Sequence, residues 1–290
     1  MIVVKLTGGF GNQLFQYAAG LSLSKHNDVE LKVDTTNLNA PDSVTGTIRK
    51  ADILNLLKPP TVATEAEINK LTLQSSHKKF AEKLLPFYKR QVYKEASNRF
   101  DKKFFSANAN KYLVGNRQSE KYFKPYENHI KNNIILSSEI VSPLIKFSET
   151  IKEQNSVSIH IRRGDYLTPV ALEWLGLLPL SYYIHCIKTI LDKLPDAVFY
   201  IFSDDIDWVK DNLNIKNEHY FVSNLISKNA MEDFNLMSCC RHNIIANSTF
   251  SWWAAWLNAY KEKTVIAPKR WYNMEKLNNT DLIPESWIKI

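Results

Sequence analysis

The chain has 290 residues, 44% of them hydrophobic, and 37 Lys and Arg against 30 Asp and Glu, a net charge of +7 with His neutral. That length suffices to bury two ordinary cores, and no uninterrupted apolar run reaches the ~20 residues of a membrane span. No basic, apolar and small-residue signal precedes Gly8, and the three cysteines, Cys186, Cys239 and Cys240, are odd in number and read as buried thiols, so a reducing, cytoplasmic location is expected.

Ile2 to Leu6 predicts a strand, followed by a glycine-rich turn, Gly8-Gly9-Phe10-Gly11-Asn12. An amphipathic helix is expected over Gln13 to Ser24, with Leu14, Phe15, Ala18, Leu21 and Ser22 near one face, and then a strand over Val29 to Asp34. Gly9 and Gly11 match the first two glycines of a dinucleotide fingerprint with Asp34 as its ribose acid, but Leu14 stands where the third glycine belongs. Gly9 and Gly11 are instead read as letting backbone approach a ligand closely, while Asn12 offers an amide donor and acceptor.

From Lys32 to Lys131 there are 19 Lys and Arg against 10 Asp and Glu, a net of +9 that leaves −2 for the rest of the chain. The same stretch holds Phe80, Phe87, Tyr88, Tyr93, Phe100, Phe104, Phe105, Tyr122, Phe123 and Tyr126. Basic residues interleaved with aromatics also mark nucleic-acid binders. A solvated helical face with its aromatics turned to a core accounts for the pattern, and no nucleic-acid partner is expected. Pro143 and a polar run place a domain boundary near Ser142 to Asn155, giving domains 1–148 and 149–290.

The second half alternates strands and helices. Val157 to Ile161, Ala197 to Phe202 and Asn243 to Ala246 are short apolar runs bounded by polar turns. Helical spacing fills the gaps, through Tyr183 to Leu194, Ala230 to Cys239 and Ser251 to Ala259. Such a pattern predicts an α/β fold with a parallel sheet, whose strand ends gather ligands at one edge. Three unusual segments follow those strands: His160-Ile161-Arg162-Arg163-Gly164-Asp165-Tyr166, Phe202-Ser203-Asp204-Asp205, and Asn247-Ser248-Thr249-Phe250-Ser251-Trp252-Trp253. Two successive guanidinium groups can neutralise a pyrophosphate without a metal. Ser248, Thr249 and Ser251 fall at a helix start, where they can cap the helix or leave its N–H groups to an anion.

Asp205-Ile206-Asp207 has the spacing of a carboxylate pair that holds a divalent cation. Asp207 lies where a helix should begin, so macrodipole compensation explains it and no metal is expected. Asp165 is placed to serve as a general base, yet an Asp two residues after Arg163 more often orders its own loop by hydrogen bonding. Arg163-Gly164-Asp165 also spells a cell-adhesion tripeptide, which three residues in a loop are too few to support.

The segments GGFGNQLFQYA (Gly8 to Ala18), HIRRGDY (His160 to Tyr166), FSDD (Phe202 to Asp205) and NSTFSWWAAWL (Asn247 to Leu257) resemble those of the bacterial α-1,2-fucosyltransferases of glycosyltransferase family 11. Gln118 to Phe123 (QSEKYF) resembles a further family segment, preceded here by Asn116-Arg117 where an aromatic pair is expected. The resemblance implies a GT-B fold of two Rossmann-like domains with parallel sheets facing a central cleft. The first domain would take a β-galactoside-containing glycan acceptor and the second GDP-fucose, with inverting transfer; with the Arg pair available for the phosphate charge, neither a metal nor another cofactor is expected.

It further implies that Arg162 binds the donor pyrophosphate and that His160 lies against the guanosine. Asp204 and Asp205 would meet the guanine or ribose, and Ser248, Thr249 and Phe250 would line the phosphate side. Arg163, Ser203 and Asn247 belong to the same donor segments. Asn12 corresponds to an asparagine near the transferred sugar. The resemblance also implies acceptors of bacterial surface-polysaccharide synthesis, often assembled on a lipid carrier at the inner face of the membrane, and the basic excess, with Lys78, Lys79, Lys83, Lys89, Arg90, Lys102 and Lys103, suggests weak attachment to an anionic leaflet. Two classes of function remain open: a GDP-fucose transferase, of this or another linkage, or a nucleotide- or anion-binding module without catalysis.

Overall fold

The computed structural model describes residues 1–39, 41, 46–72, 82–277 and 280–290. Lys78, Lys79 and Phe80 lie outside the described residues. The chain divides into two compact units, one of Met1–Asp42, Ile48–Ile135 and Asn279–Pro284, the other of Ser43–Thr47, Leu136–Asn278 and Glu285–Ile290.

In the first unit the chain runs β1 (Ile2–Lys5), α1 (Phe10–Asn27), β2 (Leu31–Asp34), α2 (Glu65–Thr72), β3 (Val92–Lys94), β4 (Lys111–Val114) and α3 (Glu127–Asn133). The strands form a parallel sheet in the order β2-β1-β4-β3. Helix α1 starts at Phe10 rather than Gln13, so Gly11 and Asn12 lie in its first turn. It is also not amphipathic: every residue from Phe10 to Ser24 except Asn12 is buried, as expected of a helix covered on all sides. Gly20 makes the close fit of α1 on the sheet possible, because a Cβ there would lie 2.2 Å from Val4 Cγ2. The basic, aromatic stretch is not a helical face. It contains α2, β3, β4, the start of α3 and short 3₁₀ turns, and Tyr93, Phe104, Tyr112, Tyr122 and Phe123 are buried in it, whereas Phe87 is exposed.

The second unit runs α4 (Ser138–Val141), α5 (Ile145–Glu153), β5 (Ser156–Ile161), α6 (Pro169–Trp174), α7 (Leu180–Leu191), β6 (Val198–Ser203), α8 (Ile206–Asn212), β7 (His219–Phe221), α9 (Ala230–Cys239), β8 (His242–Ile244), α10 (Thr249–Leu257), β9 (Val265–Ala267) and β10 (Ile288–Lys289). Its parallel sheet has the order β10-β9-β8-β5-β6-β7. Strands β5 and β6 are buried at every residue, which is why they read as unbroken apolar runs. The units part between Ile135 and Leu136, before the boundary expected at 148/149. Residues 142–155 are not a linker: α5 buries Ser148 and Ile151, the Phe147 ring meets Tyr200 at 5.8 Å, and Arg241 bonds back to Lys152 O, Glu153 O and Asn155 Oδ1. Cys186 and Cys240 are buried and Cys239 is partly so; all three are free thiols.

Candidate active site

In the second unit the chain order reverses between β5 and β8, one winding outward through β6 and β7 and the other through β9 and β10. At such a switch point, the loops leaving two neighbouring strands diverge and open a crevice at their carboxyl ends. The loop after β5 carries Arg162 to Tyr166, and the loop after β8 carries Asn247 and Ser248 into α10. Two contacts join these loops: Tyr166 OH donates to Asn247 O at 3.0 Å, and the His160 and Phe250 rings lie 5.9 Å apart.

Arg162 is clasped on two sides. Its Nη2 donates to Asp165 Oδ1 at 2.6 Å and its Nη1 lies 3.0 Å from Asp204 Oδ2. Burial works against the guanidinium charge, but Asp204 and Asp165 outweigh it and raise its pKa, so Arg162 stays cationic. Asp165 thus orders its own loop through Arg162, and its second oxygen is 3.4 Å from Thr47 Oγ1.

The two arginines have different partners. Arg163 lies 3.5 Å over the Trp208 ring and pairs with Asp205 through Nε at 3.0 Å. Its backbone N–H donates to Asp204 Oδ1 at 2.8 Å. Asp205 and Asp207 are likewise separated, since Asp207, in the first turn of α8, pairs with Lys210 at 3.1 Å.

His160 is 5% exposed, with no partner for Nδ1; burial, and then Arg162, push its pKa down to about 3, so the ring is neutral. Ser203 is buried, with its N–H bonded to Ser223 Oγ and its Oγ to the Asp205 N–H. Asn247 spends its amide N–H groups on Leu175 O, Gly176 O and Trp271 O, so only its Oδ1 is left to a ligand. Ser248 precedes α10 without capping it. The first N–H groups of that helix, on Thr249 and Phe250, therefore have no side-chain acceptor and suit an anion. Trp252 and Trp253 are fully buried; those rings of the motif form core.

In the first unit the corresponding switch point lies between β1 and β4. Gly8 has φ +72°, and its missing Cβ leaves room for Asn12 Nδ2, which would lie 2.6 Å away. Gly9 is less constrained, its nearest neighbour being Arg49 at 3.8 Å. Asn12 Oδ1 accepts a hydrogen bond from Gln118 Nε2 at 2.9 Å, a residue outside the expected site although its segment was legible. Gln13 and Gln16 brace the turn, Gln13 through Gly8 O and Lys50 O and Gln16 through Thr7. Asp34 is buried and accepts from Tyr112 OH and the Thr36 N–H, which removes it as a ribose ligand.

Residues 1–290 match the family described as Glycosyl transferase family 11. The chain belongs to glycosyltransferase family 11. An alpha-1,2-colitosyltransferase of Escherichia coli is 33% identical to this family 11 enzyme, covering 100% of this chain and 99% of the relative. The O-antigen biosynthesis glycosyltransferase WbnK of Escherichia coli is 42% identical over 137 residues, 47% of this chain and 45% of the relative. A galactoside alpha-(1,2)-fucosyltransferase 1 of Alouatta belzebul is 25% identical, over 86% of this chain and 63% of the relative. Among solved structures, NodZ alpha-1,6-fucosyltransferase soaked with GDP-fucose is similar with a TM-score of 0.50 and 16% identity, over 88% of this chain and 91% of that one. The fold of this glycosyltransferase is thereby the α/β GT-B type, with a parallel sheet in each of two Rossmann-like units. Among the described residues, no helix is long and apolar enough to cross a membrane.

Proposed function

We propose that this family 11 glycosyltransferase moves L-fucose from GDP-fucose to the 2-hydroxyl of a terminal galactoside, with inversion and release of GDP. The observation that carries the donor side is Arg162, held cationic between Asp165 and Asp204 at the switch point of the second unit. Departure of GDP concentrates negative charge on the phosphates, and a preoriented guanidinium stabilises that charge without reorganising. The uncapped N-terminus of α10 adds N–H donors, and neutral His160 offers an uncharged ring to the nucleoside. The first unit takes the acceptor, with Asn12, oriented by Gln118, serving the transferred sugar. Names of full-length and partial relatives support the α-1,2 linkage and a role in surface-polysaccharide assembly.

A second reading concerns the donor sugar. The relative aligned over the whole chain is a colitosyltransferase, and colitose is fucose without its 3-hydroxyl. Measuring GDP release from GDP-fucose and GDP-colitose, each with and without β-galactosides, tests both readings. Galactoside-stimulated release from GDP-fucose is expected. Stimulation with GDP-colitose alone transfers the proposal to that sugar, and none with either donor leaves only a nucleotide-binding module.

Attachment to an anionic leaflet is part of the proposal. Lys83, Lys89, Lys102 and Lys103 are exposed, and Leu84 is 78% exposed beside them. Each basic residue near such a leaflet contributes roughly 1 kcal/mol. Equal sedimentation with neutral and anionic vesicles at low salt would remove this element.

A further inference from the structure

Strand β6 hands its last N–H to a side chain. The parallel ladder sends the Phe199 N–H to Glu218 O at 3.0 Å, and the same register, four residues on, would send the Ser203 N–H to Val222 O. That carbonyl is taken, because the chain turns back after β7 and Val222 O accepts from the Leu225, Ile226 and Ser227 N–H groups at 3.2, 2.9 and 3.2 Å. The Ser203 N–H goes instead to the Ser223 hydroxyl oxygen at 3.0 Å. Both serines are buried, so removal of that oxygen would strand a donor away from water.

The Ser223 hydroxyl is fixed in turn by Asp233, in the first turn of α9. Asp233 Oδ2 accepts from Ser223 Oγ at 2.6 Å and Oδ1 accepts from Ser227 Oγ. Burial raises the Asp233 pKa, against the pull of the two hydroxyls. The helix does not need Asp233 as its cap, since Asn229 Oδ1 accepts the Glu232 N–H at 3.0 Å and Glu232 Oε2 accepts the Lys228 N–H at 2.7 Å. A serine hydroxyl has one proton. With that proton on Asp233, Ser223 presents a lone pair to Ser203, which is what the Ser203 N–H requires.

The turn held in this way carries Asp204. Ser203 Oγ accepts the Asp205 N–H at 3.0 Å and closes the turn from within. Asp204 then meets the Arg163 N–H at 2.8 Å through Oδ1 and Arg162 Nη1 at 3.0 Å through Oδ2. We propose that Ser223, its hydroxyl directed by Asp233, is a positioning residue for Arg162 that acts through Ser203 and Asp204. Ser227 is the natural control: its hydroxyl binds the same carboxylate, and its other partner is Val222 O rather than the β6 turn. The proposal rests on the reading of Arg162 as the cation at the donor phosphates.

The test titrates the full chain with GDP, which carries the phosphate charge that Arg162 is held to meet. Ser223→Ala should weaken GDP binding about tenfold and Ser227→Ala less than about threefold. In an Arg162→Ala background Ser223→Ala should add nothing, because its effect travels through that arginine. Should Ser223→Ala fail to fold, Ser223→Cys, of similar size but a weaker acceptor, replaces it throughout. Equal losses from the two serines, or a Ser223→Ala loss that persists without Arg162, overturns the positioning role and leaves Asp233 a brace of the loop after β7. Amide exchange reads the same relay without nucleotide: Ser223→Ala should speed exchange of the Arg163 N–H about tenfold, and Ser227→Ala should leave it unchanged. An Arg163 amide indifferent to Ser223→Ala also overturns the proposal. A wild type that binds no GDP, with the Arg163 amide still responding to Ser223→Ala alone, would sink the donor reading and keep the relay.

Discussion

Arg162 Nη1 lies 3.0 Å from Asp204 Oδ2, and Gly164 is what permits it: a Cβ at position 164 would lie 2.6 Å from that oxygen. The glycine of the HIRRGDY segment therefore serves the arginine two residues before it. With Asp165 on its other nitrogen, Arg162 is positioned before any ligand arrives, which is the condition under which one cation contributes most to a leaving phosphate.

Arg162→Ala should lower kcat about 100- to 1000-fold, the loss seen when one preorganised donor to a developing anion is removed. Arg162→Lys should recover little, because an ammonium cannot engage Asp165, Asp204 and phosphate together. Near-normal turnover in Arg162→Ala would exclude the proposed role.

Asp165→Asn separates orientation from proton transfer. The amide keeps an oxygen for Arg162 Nη2 but loses the charge, so a decrease of about tenfold is expected, with the pH profile of kcat unchanged in shape. A loss of 100-fold or more, together with disappearance of the acidic limb, would make Asp165 the general base instead.

Turnover should survive exhaustive chelation, since Arg162 supplies charge at the phosphate and Asp205 and Asp207 are committed to Arg163 and Lys210. Activity lost in EDTA and restored by magnesium or manganese contradicts this.

His160 links stability to acid. Its folded pKa of about 3 lies below the ~6.5 of an unfolded histidine, so the unfolded chain binds the proton more readily. The stabilising contribution is complete above pH ~6.5 and is lost as pH falls toward 3, by up to ~1.4 kcal/mol per pH unit. Denaturant midpoints measured from pH 7 to pH 4 should fall more steeply for the wild type than for His160→Asn. Parallel curves would show that His160 is not held neutral.

Much of this was legible where burial is uniform. Strands β5 and β6 are covered on both faces and announce themselves as VSIHI and VFYIF, and the polar segments that follow them had to share an edge once the sheet was parallel. Strands β3 and β4 escaped notice because three or four residues, one of them a lysine in each strand, carry no periodicity. Helix α1 was expected to be one-sided, yet its polar Gln13 and Gln16 are buried as well and bonded to backbone or to Thr7. Arg117 was visible only as a departure from an expected aromatic pair; that a guanidinium could fill a buried position lined by the Tyr93, Phe104 and Tyr122 rings follows from its own flat, weakly hydrated surface.

The central claim is tested most directly by the linkage in the product. Incubation with GDP-fucose and a panel of β-galactosides, followed by NMR of the purified product, should give an α-fucosyl residue on O2 of the terminal galactose. A fucosyl group at another oxygen, or transfer of the dideoxy sugar alone, would contradict the account.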